Sequence, residues 1–129
     1  MLTSLELQLC DIQGRLFELS LAKDFSSESF IKAYMKSKCA ADFGLKYNRF
    51  QWAGEEYLLE EVTDECKESL VAGDKYTKDE MFWIGYAYAY WQILTGESSK
   101  KIVALASPKT MKAAYIGLHT IDVSLAVEE

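Results

Sequence analysis

The stretch FWIGYAYAYWQIL, residues 82–94, places six aromatic side chains in thirteen positions, and how it is read decides the fold. The apolar run around it covers about 14 residues, short of the roughly 20 that a helix needs to cross a hydrocarbon core. Asp79 and Glu80 close one end and Gln92 lies within it, so it is not read as a membrane span. On a helical wheel its apolar residues occupy nearly the whole circumference, which marks a central buried helix. The one break is a strip of Gly85, Ala89, Gln92 and Gly96, where small residues let a neighbouring backbone approach or leave a shallow groove. A packed core with tied tyrosine hydroxyls is the favoured reading. The alternative is a pocket beside the helix that stacks a ligand, with Tyr86, Tyr90, Trp91 and His119 as its contacts.

Working outward, the rest of the chain also reads as helical. The 129 residues suit one domain, 1–129, with enough buried surface for a core that needs no metal or disulfide staple. Leu2, Leu5, Leu9, Ile12, Leu16 and Leu19 recur at spacings of three and four and form one face of an N-terminal helix. The same spacing is that of a coiled-coil seam, but it runs under three heptads. Packing within a bundle is preferred, with a homodimer through this helix as the alternative. A second helix is expected from Ser26, with Phe25 and Phe30 as a hydrophobic staple, ending within residues 38–44. A third is expected over residues 53–70, with Leu58, Leu59, Val62, Cys66 and Leu70 inward.

The central helix has the best-marked start: Thr77 and Glu80 make a capping box, Tyr76 and Met81 flank it, and Gly96 stops it, giving a helix over residues 78–95. A short helix follows over 98–106 with Ile102 and Leu105 inward. Ser107-Pro108 then opens another, carrying Met111, Ala114, Tyr115 and Leu118. In the tail, Ile121, Val123, Leu125 and Val127 alternate like a strand, but no second strand is evident to pair with them, so helix is favoured. The expected fold is therefore an all-α, single-domain bundle of five to seven helices around residues 78–95.

The N-terminus, MLTSLELQLCDIQGRLFELS, lacks a basic region, and Glu6 and Asp11 break its apolar residues, so it does not read as a secretory signal. Cys10, Cys39 and Cys66 are widely spaced and odd in number, as packed thiols in a reducing compartment would be. A cytoplasmic protein is expected.

Charge is distributed unevenly. Residues 55–68, EEYLLEEVTDECKE, hold seven acids and one base, Lys67, and so carry the whole formal net charge of −6. A solvated helix face is the plain reading, and an electrostatic docking surface for a basic partner is the functional one. Nucleic acid is not expected as a partner, because Arg15 and Arg49 are the only arginines and no basic stripe exists. Catalytic chemistry is poorly supported. His119 is the single histidine, and no CxxC pair or phosphate-cradling loop is present, so no metal or cofactor is expected. Glu55 and Glu56 are neighbours in sequence, about 100° apart on a helix, and nothing sets their acidities apart. His119 is read as a structural residue near a helix end, and no catalytic residue is assigned.

Four blocks, GRLFELS (14–20), NRFQWAGEEYLLEE (48–61), FWIGYAYAYWQILTGESSKKI (82–102) and MKAAYIGLHTID (111–122), cover over a third of the chain. In this order they resemble an uncharacterised family of small helical bacterial proteins. That family is similar to the antitoxin-like partners encoded beside ADP-ribosyltransferase-fold proteins. The resemblance implies a non-catalytic inhibitor that covers a partner's cleft, possessing no active site of its own. In that family the aromatic helix often carries a basic residue where this chain has Ala89, so the resemblance does not extend to a partner contact centred on position 89. The blocks set polar residues beside aromatics at Arg49, Trp52, Glu55, Glu56 and His119. With Glu60, the first four of these make the expected partner-binding set.

Overall fold

The computed structural model describes residues 2–43 and 54–118. Among them are seven α-helices and no strand: α1 (Ser4–Leu19), α2 (Ser27–Met35), α3 (Lys38–Phe43), α4 (Glu55–Glu65), α5 (Lys78–Thr95), α6 (Ser99–Leu105) and α7 (Pro108–Leu118). Short 3₁₀ turns follow α1 at Ser20–Ala22 and α4 at Lys67–Ser69. The fold is all-α, and no described helix is long and apolar enough to cross a membrane.

The central helix, α5, forms where its capping residues place it. Thr77 Oγ1 accepts the Glu80 amide at 3.2 Å, and Glu80 Oε1 accepts the Thr77 amide at 2.8 Å. Gly96 ends the helix at φ 74°, a left-handed conformation that glycine adopts without strain. No side chain from residue 80 to residue 93 is exposed, as expected of a helix surrounded by others. Its tyrosines are partly tied down: the Tyr88 hydroxyl donates to the Ala106 carbonyl at 2.6 Å.

Within the small-residue strip, Gly85 and Ala89 serve as a packing device against α1, while Gln92 donates to the Ala40 carbonyl at 3.2 Å. An added Cβ at Gly85 would lie 2.7 Å from the Gln13 carbonyl oxygen and 2.8 Å from the Phe17 ring. Reciprocally, one at Gly14 would meet the Phe82 ring at 3.0 Å. Glu18 pairs with Lys78 at 3.5 Å, and Leu9 and Cys10 cluster with Ala89 and Tyr90. These contacts run in opposite chain directions, so α1 lies antiparallel along α5 at close range. Wholly buried Gln13 locks the crossing. Its Nε2 donates to the Gly85 carbonyl at 2.8 Å, and its Oε1 accepts the Tyr34 hydroxyl of α2 at 2.8 Å. Phe17 fills the space beside it, edge-on to Phe30 and Tyr34, each at 5.4 Å between ring centroids.

Four sequence expectations need correction. Leu5 is 53% exposed, because the buried face of α1 centres on Cys10, Gln13 and Phe17, rotated roughly 100° from the leucine stripe at 100° per residue. The second helix ends at Met35, with Lys36 at its C-cap. Ser37 then starts α3: its hydroxyl donates to the Tyr34 carbonyl at 2.6 Å and accepts the Ala40 amide at 3.1 Å. The third helix stops at Glu65, and only a 3₁₀ turn follows. Leu105 is 64% exposed, since Ser99, Ile102, Val103 and Ala106 form the inward face of α6. The remaining signals hold. Phe25 stacks on Phe30 at 5.7 Å, as the staple requires, and Ser107 caps α7 through the Thr110 amide at 3.2 Å. The tail expected to be helical, residues 121–127, lies outside the described residues.

An irregular strap connects α4 to α5 across the start of α2. The Ser26 and Ser27 amides donate to the Val71 and Asp74 carbonyls at 2.7 and 3.0 Å, and the Tyr76 amide donates to Ser27 Oγ at 2.9 Å. Lys75 Nζ reaches the Leu21 and Lys23 carbonyls at 2.8 and 2.5 Å.

Two outcomes follow for stability. Gly→Ala within a helix normally gains about 1 kcal/mol from propensity. Gly85→Ala should instead lose about 1–3 kcal/mol, because the methyl must push α1 away. Trp83→Ala or Tyr90→Ala should cost about 3–5 kcal/mol. Urea unfolding measures all three, and melting within a degree or two of the parent would contradict the central position of α5.

Candidate functional site: the outward face of the acidic helix

Helix α4 is positioned by its apolar side. Leu58, Leu59 and Val62 are buried in the core, and Cys66 continues that face beyond the helix. Gly54 precedes it at φ 97°, a left-handed turn with open space around it. No side chain caps this helix start, but Glu55 and Glu56 place negative charge in the first turn, where the helix dipole favours it.

Burial of one side forces the carboxylates outward. Glu56, Glu60 and Asp64 are exposed at spacings of four residues, so they share one stripe. Tyr57, 40% exposed, flanks it. Among the described residues none of the three carboxylates takes part in an ion pair. Like charges four residues apart each cost a helix about 0.2–0.5 kcal/mol, and this stripe contains two such pairs.

Two other acids of the segment, Glu55 and Glu65, have internal work. Arg15 pairs with Asp11 at 2.9 Å and reaches Glu55 at 3.9 Å, bridging α1 to α4. Glu65 accepts the Lys38 and Cys39 amides at 2.6 and 3.3 Å, capping α3 from another helix. With Ser37 on the Ala40 amide, three donors of that helix start are satisfied. A cleft of about 340 Å³ borders the stripe, lined by Arg15, Glu18, Leu19, Glu55, Glu56 and Lys78 among others.

Of the expected partner-binding residues, the fold brings Glu55, Glu56 and Glu60 onto one helix. Glu55 faces Arg15, while Glu56 and Glu60 face solvent. Arg49, Trp52 and His119 lie outside the described residues. The expected pocket residues divide between two clusters. Tyr86 and Tyr90 belong with Leu2, Leu9 and Cys10 beside α1, whereas Trp91 packs on the main core. Tyr86 also stacks on Phe82 at 6.1 Å. Sequence reasoning missed Asp64 as the third member of the stripe, although its spacing from Glu60 announced it. It also missed Arg15, whose four-residue spacing from Asp11 was the available signal.

No group of three or more metal-ligating side chains is assembled among the described residues. Each resolved acidity shift points away from neutrality. Burial, then the Glu6 charge, pushes the Cys10 thiol up to about 12. Burial and the neighbouring Glu65 push Cys39 up to about 12, and burial raises Cys66. Burial, with Glu28 and Glu80, pushes Tyr76 up to about 12, and burial raises Tyr34 and Tyr88. At neutral pH the cysteines are thiols, and a thiol is a poor nucleophile.

These shifts fix the sign of the alkaline response. The fold favours the protonated forms, so the unfolded chain loses its protons first as pH rises. The resulting stability is fully present below pH 9, the unfolded thiol value, and is lost as pH climbs to about 12. Urea unfolding across that window should show steadily falling stability, less steeply in Cys10→Ser. A flat profile would contradict the burial of these groups.

No protein-family model matches this chain, and no curated protein and no solved structure is significantly similar to it.

Proposed function

We propose that this chain is a non-catalytic protein-binding module of the cytoplasm, an antitoxin-like neutraliser of a partner encoded nearby, and that it docks a basic surface through the outward face of α4. The observation that carries this reading is the stripe Glu56, Glu60 and Asp64, exposed and without a paired cation among the described residues. A helix that retains mutual repulsion along its exposed face loses a little stability with no internal return. A basic partner would remove that repulsion on binding. Arg49 and Trp52, just ahead of α4 in the sequence, are residue types enriched at binding hot spots. The family resemblance supports the same role, which requires no active site.

Exposed carboxylates act chiefly on encounter rates. The range of their field falls from about 10 Å at 0.1 M salt to about 3 Å at 1 M, so association should slow as salt rises. The test is stopped-flow association with the product of the neighbouring gene, for the parent and for the double variant Glu56→Lys/Glu60→Lys. The variant should keep its stability to within about 0.5 kcal/mol, as surface changes usually do, yet associate more slowly and with a shallower salt dependence. Unchanged rates and salt slopes would leave α4 an ordinary solvated face.

A further inference from the structure

Few side chains of helix α7 are buried. Among its residues only Pro108 and Met111 are buried, Ala114, Tyr115 and Leu118 are half-buried, and Ile116 is 72% exposed. The surface beneath it carries an unusual burden. Tyr76 and Trp83 are each 9% exposed, and the Tyr76 hydroxyl and Trp83 Nε1 are buried without hydrogen-bond partners. Both rings are covered from α7. Lys112 Nζ sits 4.8 Å from the centre of the Tyr76 ring, and Tyr115 meets the Trp83 ring edge-on at 5.9 Å. The seam beneath α7 therefore contains two buried polar atoms that water would satisfy, at a cost for each that rivals the gain from a well-buried side chain. A cleft of about 400 Å³, lined by Tyr76, Lys109, Lys112 and Ser26 among others, already brings solvent to the edge of this seam.

The chain just before α7 is fixed. Ala106 is buried, its carbonyl accepts the Tyr88 hydroxyl at 2.6 Å, and its amide donates to Ile102 at 2.9 Å. Movement of α7 thus has a hinge at Ser107, and α6 stays in place. We propose that α7 is a clasp that opens as a unit on a folded body, hydrating the Tyr76 hydroxyl and the Trp83 indole and uncovering an aromatic groove floored by those two rings and the socket of Met111. This inference is independent of the docking role assigned to α4.

Native-state hydrogen exchange of the full chain, read by peptide mass spectrometry, tests it. Peptides within residues 108–118 should exchange faster than those of α1 and α5, and with little dependence on urea, because opening a clasp exposes little surface. Tyr76→Phe removes one stranded group from the closed state and should slow exchange of α7 about fivefold or more. Leu9→Ala weakens the α1–α5 cluster remote from α7. It should speed exchange in α1 and α5 and leave α7 unchanged. The proposal is overturned if α7 is protected as strongly as α5, if Tyr76→Phe fails to slow it, or if Leu9→Ala accelerates all helices together.

Discussion

Gln13 has no exposed surface and stands where α1, α2 and α5 meet, so both ends of its amide must be satisfied from within the fold. The Gly85 carbonyl and the Tyr34 hydroxyl do this at 2.8 Å each. An unsatisfied amide in that position would cost about 1–3 kcal/mol, so the three helices are held to one mutual spacing. That spacing is available only because residue 85 has no side chain. It brings Phe17 into the centre, where its ring meets Phe30, Tyr34 and Tyr88. The apolar core is built around a polar contact that fixes its register.

The same contact explains which parts of the fold could be read from residues. Local signals were legible because they depend on near neighbours: the capping box at Thr77 and Glu80, the Phe25–Phe30 staple, the Gly96 stop and the Ser107 cap. The aromatic run correctly marked the centre because a helix apolar on all sides has nowhere else to lie. Most of what failed was set by a distant partner. The inward face of α1 was misplaced because a glutamine and a glycine, both poor hydrophobic signals, occupy its middle. The break between α2 and α3 rests on the local Ser37 cap, which was overlooked, and on Glu65, twenty-seven residues from Lys38.

The candidate site was legible as charge but not as geometry. The sequence concentrates acid in residues 55–68, and burial of Leu58, Leu59 and Val62 then divides it. Glu55 and Glu65 turn to structural tasks at the two ends of α4, and Glu56, Glu60 and Asp64 are left to solvent. The helix is thereby anchored at both ends by the kind of residue that it displays along its middle. Such an arrangement presents a rigid row of carboxylates, with less entropy to lose on contact than a flexible acidic tail would have.

The bond between Gln13 and the Gly85 carbonyl spans 72 positions, and this bears on the order in which the chain can be assembled. A helix joined to its main partner over such a distance must wait for a long loop to close, a step that slows folding more than it weakens the folded state. On a ribosome, α1 emerges well before α5 and finds its antiparallel mate only after α2, α3, α4 and the strap have been made. Until then, Leu9 and Cys10 lack the cover of Ala89 and Tyr90, and the Gln13 Nε2 lacks the Gly85 carbonyl. Among the described helices, the pair in closest contact is therefore among the last to form.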